Sequence, residues 1–324
     1  MLIRPKKLET MPYNDKNNST VNRRIYVPLI SILSTVLFAP SISHAQENVI
    51  ERLIPAISLI LDEQAPEVDE QGPIDCPVVT TETTLTAGGF AINNQSDVDQ
   101  FIGITRVEGV LDFGFGPEST GIDLSPFDSL VEATGNFNMR QSGPVNLIGF
   151  NCLRSVGGNF NIDSPSAVER IAGFNSLESI GNQFSISGSS NLVSVDGFES
   201  LETVGTFFQI IRSDNLTSIP SFNSLTSISQ RFVIESNASL TSVAGFESLE
   251  TIGTFFQIAQ NNNLINVSGF ESLVSTNSFF QINNNPNLET ISGFNSFVSG
   301  GNFVGFDRNI VECNSSNQAS LLCQ

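Results

Sequence analysis

The sequence predicts an all-β fold, a right-handed β-solenoid of about nine 24-residue turns. The first observation is a phenylalanine that recurs every 24 residues. The second is a set of apolar residues at fixed positions after it, and the third is the glycine, serine and asparagine that separate them. Self-similarity at this period is typical of stacked repeats. The recurring phenylalanines are Phe150, Phe174, Phe198, Phe222, Phe246, Phe270 and Phe294, with looser copies at Phe127 and Phe101.

Each repeat unit contains the pattern of a short strand. In one unit, Leu201, Val204, Phe208 and Ile210 follow Phe198. The Phe-x-Ile pair alternates with period two, which indicates a strand with one buried face. Gly, Ser and Asn around it predict turns. Because one turn cannot bury its own apolar residues, we expect successive turns to stack roughly 4.8 Å apart around a shared core.

An asparagine also recurs with the repeat. The column consists of Asn191, Asn215, Asn263 and Asn287, with Ser239 in register. Buried side-chain amides can satisfy backbone groups at corners that sheet pairing leaves without a partner. We therefore predict a structural amide ladder in this column, and a ligand site is the alternative.

The NLxSIxGFxSLxxIGxxFxI units, best preserved in residues 191–210 and 239–258, resemble the receptor L domain. This is the leucine-rich-repeat-like β-helix of insulin-receptor and epidermal-growth-factor-receptor ectodomains, and fungal cell-wall and secreted bacterial proteins carry similar repeats. Residues 101–111 look like the opening turn of that family, and the resemblance covers residues 76–324. It implies an extracellular β-helix that binds a partner. The sequence shows no cysteine-rich module or kinase, so receptor signalling is not implied.

The first 45 residues have the pattern of a secretory signal. A basic stretch precedes the apolar run Ile25–Phe38, and a small-x-small site ends at Ala45. This order of regions predicts cleavage after Ala45, and an uncleaved membrane anchor is the alternative. We expect the protein to be secreted or held at the cell surface, with the periplasm as another location, and to have no membrane span after cleavage.

Residues 46–75 are predicted to be an acidic linker. They begin with an amphipathic patch, Val49–Leu61, and continue as an acidic, proline-containing segment. A helix that docks on a partner is the alternative reading of that patch. The solenoid domain is predicted to span residues 76–324, with Leu85, Phe90 and Ile92 in a capping turn. Atypical end units are expected, because they close the open edges of a solenoid.

Four cysteines in an exported chain suggest disulfides. We expect Cys313 and Cys323 to form a disulfide that staples the C-terminal cap. A Cys76–Cys152 bridge is harder to build, since three turns of stack place the residues roughly 14 Å apart, beyond the ~7 Å limit between Cα atoms, unless the N-terminal segment folds up the side of the stack. Cys152 lies in a column of serines, which predicts an exposed free thiol.

The composition excludes several kinds of chemistry. The whole chain has a formal net charge of −19, and cleavage after Ala45 would leave eight arginines against 31 acidic residues. It would also remove the only histidine, His44, which excludes a Ser–His triad and any His-ligated metal site. We predict no cofactor, no metal and no catalytic residues. The acidity also disfavours nucleic acids and anionic membranes as partners.

Carboxylates are the remaining candidates for catalysis. The outward positions of the predicted strand include Asp163, Glu235 and Asp307. They lie three turns apart, ~14 Å, whereas a catalytic carboxylate pair needs ~5–9.5 Å. Other acids recur with the repeat and predict a solvated edge, on which a calcium site is a weaker alternative. These acids are Glu199, Glu202, Glu247, Glu250 and Glu271.

The outward face of the Phe-x-Ile strand is the candidate binding site. Because Phe208, Phe256 and Phe280 are predicted to point inward, the residues before them should point outward. Exposed aromatic rings beside amides and an arginine suit a protein or sugar surface. Partial burial of these rings at a corner is the alternative. The predicted ligand-binding residues are Phe207, Gln209, Arg231, Phe255, Gln257, Phe279 and Gln281.

These observations favour a secreted, non-catalytic binding module that recognises an extracellular protein or glycan along one solenoid face. One alternative is a carboxylate-dependent enzyme that cleaves polysaccharides, since β-helices are common among such enzymes. Another is a structural or adhesive protein of the cell envelope.

Overall fold

The computed structural model describes Cys76 and residues 82–116, 119, 121–140, 146–147, 149–163, 168–219 and 222–305. The described chain is a parallel β-solenoid of 24-residue turns, as the repeat predicts. The predicted signal (residues 1–45), the linker (46–75) and the predicted Cys313–Cys323 pair lie outside the described residues.

Each turn contributes one long strand, which pairs in parallel with the long strand of the next turn. The pairing keeps equivalent residues level, so that Phe184 aligns with Phe208 and Ile186 with Ile210. The long strands are Thr84–Ile92, Arg106–Phe113, Phe137–Arg140, Phe160–Asp163, Phe184–Ser187, Phe207–Ile211, Arg231–Glu235, Phe255–Ala259, Phe279–Asn283 and Phe303–Gly305.

Short strands complete each turn on either side of the long one. Those before it join the same 17-stranded sheet: Glu132–Ala133, Ser155–Val156, Ser179–Ile180, Thr203–Val204, Ser227–Ile228, Thr251–Ile252 and Ser275–Thr276. Those after it form a three-stranded sheet (Asn146–Leu147, Arg170–Ile171, Ser194–Val195) and a four-stranded sheet (Ser218–Ile219, Ser242–Val243, Asn266–Val267, Thr290–Ile291). The helical segments described are an α-helix, Gln95–Val98, and two 3₁₀ turns, Asp99–Phe101 and Ser125–Ser129.

Two columns of phenylalanine fill the core. The first contains the recurring phenylalanines from Phe150 to Phe294, whose neighbouring rings lie 5.0–5.4 Å apart with planes within 14°. The second runs from Phe160 to Phe280, with rings 4.5–5.4 Å apart and planes within 8°. Rings of different columns meet edge to face, as Phe208 and Phe222 do at 4.8 Å and 88°. Both arrangements are favoured by aromatic quadrupoles.

The structure contains a buried asparagine ladder, but not in the predicted column. Asn191, Asn215, Asn263 and Asn287 are exposed, so their predicted burial is wrong, although the Asn263 and Asn287 amides donate to backbone carbonyls of the turn before. The buried ladder lies two residues earlier in each turn and consists of Asn237, Asn261 and Asn285, with Ser213 and Ser189 below them. At the corner this earlier residue is buried, and the asparagine amides there reach the backbone of the neighbouring turn.

Each amide of the ladder bonds twice to the backbone of the turn before it. The Nδ2 of Asn261 donates to the Ile234 carbonyl at 3.1 Å, and its Oδ1 accepts from the Asn237 backbone N–H at 3.0 Å. Asn237 and Asn285 repeat this arrangement. The role predicted for an asparagine ladder, satisfying backbone groups at a corner, is therefore confirmed for a different set of residues.

Cys152 is buried and forms a disulfide with Cys76, so its prediction as an exposed free thiol is wrong. The Cα atoms of the two residues are 5.3 Å apart. The prediction placed Cys76 at the open end of the stack, three turns away. Its sulfur instead lies 3.8 Å from the carbonyl oxygen of Asn151 and from the hydroxyl of Ser176, beside the turns that contain them.

We expect Asn261→Ala to lower the free energy of unfolding by roughly 2–4 kcal/mol, because the Asn237 N–H and the Ile234 carbonyl lose a partner inside the protein. Asn263→Ala is the matched control. Its exposed amide bonds only to the Ala238 carbonyl, and we expect a loss of about 1 kcal/mol or less. Urea unfolding of both variants measures the difference. Equal losses, or a larger loss for Asn263→Ala, would contradict the assignment of the ladder.

Candidate functional site

Three columns of outward-facing side chains run across the long strands, with one residue from each turn. In Phe207–Ile211, residues two and four of the strand are buried, whereas residues one, three and five are partly exposed. We name the columns by their composition. The aromatic column is Phe207, Arg231, Phe255 and Phe279. The amide column, named for its three glutamines, is Gln209, Val233, Gln257 and Gln281. The mixed column is Asp163, Ser187, Ile211, Glu235, Ala259 and Asn283, of which Ala259 is buried. The predicted inward and outward alternation is confirmed.

The aromatic column brings together all four of its predicted members. The Arg231 guanidinium carbon lies 5.8 Å from the centre of the Phe207 ring and 5.5 Å from that of Phe255. Phe255 and Phe279 follow with ring centres 5.8 Å apart. Phe279 is 39% exposed, whereas Phe207 and Phe255 are half-buried. The column is thus partly covered by its own members, and it still presents apolar surface to solvent.

Arg231 is held in this column by the two rings. A guanidinium within about 6 Å of a ring centre gains roughly 0.5–1 kcal/mol at an exposed site. Among the described residues, no ion pair involves Arg231. The result is one positive charge, kept in place by phenylalanine, on a chain that is strongly acidic.

The amide column continues a row of polar side chains that begins in the turns nearer the N-terminus. Gln209 donates from Nε2 to the Ser185 hydroxyl at 2.9 Å. Below it, the Asn161 amide donates to Asn138 at 2.9 Å and accepts from Gln183 at 2.8 Å. Ser185, Asn161 and Asn138 are buried, whereas Gln209, Gln257 and Gln281 are half-exposed. The accessible amides therefore lie on the same strands as the three phenylalanines of the aromatic column.

The mixed column offers no catalytic pair. Asp163 and Glu235 are separated by three strand pairings, through Ser187 and Ile211, as the sequence predicts. Burial raises the pKa of Asp163 above its ordinary value of 3.8, and the nearby Arg140 guanidinium partly offsets that rise. The third predicted acid, Asp307, lies outside the described residues. The two described candidates, Asp163 and Glu235, are therefore too far apart to act as a pair.

The recurring glutamates form an exposed edge, as predicted. All five, Glu199, Glu202, Glu247, Glu250 and Glu271, are exposed. Within the described ranges, no group of three or more histidine, cysteine, aspartate or glutamate side chains is placed to hold a metal ion.

A polar groove along one corner of the solenoid was missed by sequence reasoning. It follows the ends of the long strands and encloses about 510 Å³. Its lining residues are Asp214, Ser236, Ala238, Gln260, Asn262 and Asn284. The available signal was the recurrence of polar residues directly after each Phe-x-Ile strand, but the repeat alone does not reveal that the corner opens there. We call it the corner groove.

Comparisons of the chain with protein-family models, with curated proteins and with solved structures found no match. In the part of the chain that the structure describes, no helix has the length and apolar character needed to cross a membrane.

We expect Asp163→Asn to raise the free energy of unfolding at pH 7. The pKa of this carboxyl is higher in the folded protein than in the unfolded chain, so the unfolded chain loses the proton first as the pH rises. Ionised Asp163 thus destabilises the folded state at neutral pH. Below pH 3.8 both states become protonated, and the advantage of the variant should disappear. Urea unfolding at pH 7 and near pH 3 tests this, and a larger advantage at the lower pH would contradict it.

Proposed function

We propose that the chain is a non-catalytic binding module that acts outside the cell or at its surface and recognises a protein or a glycan along the long-strand face. The observation that carries the proposal is the aromatic column, in which Phe207, Arg231, Phe255 and Phe279 lie side by side on the outer surface of a regular sheet. Their inward neighbours already complete the core. The outward rings are therefore not needed to fill it.

The chemistry of the face suits a binding surface. Aromatic residues and arginine are enriched at recognition sites, because they supply large contact areas together with a polar or charged group. The half-exposed amides of Gln257 and Gln281 lie two residues from Phe255 and Phe279 on the same strands. An amide can both donate and accept, so it matches the hydroxyls of a sugar or the backbone of a peptide.

The rigidity of the face also supports the proposal. The long strands are paired on both sides by other long strands, and their inward side chains stack in the two phenylalanine columns. A surface that is already ordered loses little conformational entropy when a ligand binds. The resemblance of the repeat to receptor L domains, and the signal-like pattern before Ala45, favour an extracellular partner.

The carboxylate-dependent enzyme remains the alternative from another functional class. It requires two acids at catalytic separation across one groove. The two described candidate acids on the long-strand face, Asp163 and Glu235, are three turns apart, and Asp214 is the one acid among the described residues that line the corner groove. This geometry favours binding without cleavage.

The proposal predicts that replacing Phe207, Phe255 and Phe279 together by threonine weakens ligand binding at least tenfold, because the ligand loses its aromatic contacts. Threonine keeps the strand preference of the positions. The measurement uses retention of the purified protein on immobilised envelope and algal polysaccharides, with new sugar ends followed in parallel, and pull-down from an extracellular extract. At least one ligand should be retained by the wild type and released by the variant.

The matched control replaces three exposed apolar residues elsewhere, Val193, Ile265 and Val298, by threonine. It removes a similar amount of exposed apolar surface and should keep every ligand. If each ligand is held equally by the wild type and the aromatic variant, the proposed face is wrong. The appearance of new sugar ends would contradict a non-catalytic function.

A further inference from the structure

We propose that the corner groove is a second binding site, which takes a neutral carbohydrate oligomer aligned with the solenoid axis. It is separate from the aromatic column, because that column lies at the start of the long strands and the groove follows their ends. A long strand of five residues keeps the two roughly 13 Å apart. The groove therefore binds its ligand independently of the proposed aromatic face.

The groove is built from two rows of side chains. One row is Ser236, Gln260 and Asn284, and the other is Asp214, Ala238 and Asn262. The residue between the two rows in each turn belongs to the buried asparagine ladder, which points inward and ties the corner to the neighbouring strands. Both rows of side chains are thus attached to backbone that the buried ladder holds in place.

The first row has an unusual backbone conformation. Ser236, Gln260 and Asn284 have φ angles of 59°, 58° and 55°, and Arg212, which lies one turn before Ser236 and outside the groove lining, has a φ of 55°. Left-handed backbone is disfavoured for residues with a side chain by roughly 1–2 kcal/mol each. Glycine would avoid this strain, and Gly188 occupies the same position one turn below Arg212. The groove nevertheless has a polar side chain at this position in three successive turns.

The lining selects for a neutral ligand with many hydroxyls. It contains a hydroxyl, three amides and one carboxylate, so it offers both donors and acceptors. Among the lining residues that the structure describes, Asp214 alone is charged, and a formal net charge of −19 for the chain further repels anions. Ala238 is the only apolar member, so the groove lacks the pockets that a peptide needs for its side chains.

The spacing of the walls matches an oligomer rather than a single sugar. Equivalent groups recur once per turn, at roughly 4.8 Å. A volume of about 510 Å³ is within the range of ligand sites, roughly 300–1,000 Å³. A sugar chain that runs along the axis can therefore place hydroxyls against Ser236, Gln260 and Asn284 in turn. The Ser236 hydroxyl donates to the Gln260 amide oxygen at 3.2 Å, so side chains of neighbouring turns in this row lie within hydrogen-bond distance of each other.

The test is affinity electrophoresis of the purified protein through gels that contain laminarin, galactomannan, xyloglucan or dextran as neutral polysaccharides, or alginate as an anionic one. We expect at least one neutral polysaccharide to retard the protein and alginate to do so less. The double variant Gln260→Gly with Asn262→Ala should bind at least tenfold more weakly, because two sets of hydrogen bonds are lost. Glycine suits the left-handed backbone at 260, and the backbone carbonyl of residue 262 still accepts from Asn287.

The matched control is Arg212→Gly, which replaces a residue of the same left-handed conformation at the equivalent position of the preceding turn, outside the groove lining. It should bind like the wild type, and so should the aromatic threonine variant. Binding that is lost in the aromatic variant and kept in the groove variant would overturn the groove site while supporting the aromatic face. Absence of retardation by every neutral polysaccharide, or equal retardation by alginate, would also overturn it.

Discussion

The structure depends on the stacking of each side chain on its equivalent one turn away. This register is clearest in the two phenylalanine columns, where rings lie nearly parallel within a column and edge to face between columns. A shift of one residue in any long strand would exchange its two faces, placing Phe207 where Phe208 now completes the core. The core therefore fixes the register, and the register in turn determines what the outer surface presents.

The same constraint produces both candidate sites. Phe207, Arg231, Phe255 and Phe279 come together because their strands pair level with each other. The walls of the corner groove come together because Ser236, Gln260 and Asn284 share one backbone conformation, held by the amide ladder beneath them. Recognition in this protein, as we propose it, uses side chains that core packing leaves unspecified.

The period-two pattern of Phe208 and Ile210 was sufficient to predict the fold, the core and the outward direction of Phe207. It was not sufficient at the corners. Asparagine recurs both at 237, 261 and 285 and two residues later, and only the left-handed turn before the ladder decides which set is buried. The position of Cys76 beside Cys152 was also not predictable, because the repeat does not specify where the segment before the first turn lies. The corner groove was not predicted either, because it too depends on the left-handed backbone at the corner.

Deleting residues 239–262, one 24-residue turn, tests whether whole turns are equivalent and stack in register. We expect the shortened chain to keep its β circular dichroism and to unfold cooperatively in urea, because Phe280 then stacks on Phe232 and Asn285 bonds to Asn237. Deleting only residues 239–250 should abolish folding, since equivalent residues no longer meet. Loss of structure after the whole-turn deletion, or equal tolerance of both deletions, would show that the turns are not equivalent units stacked in register.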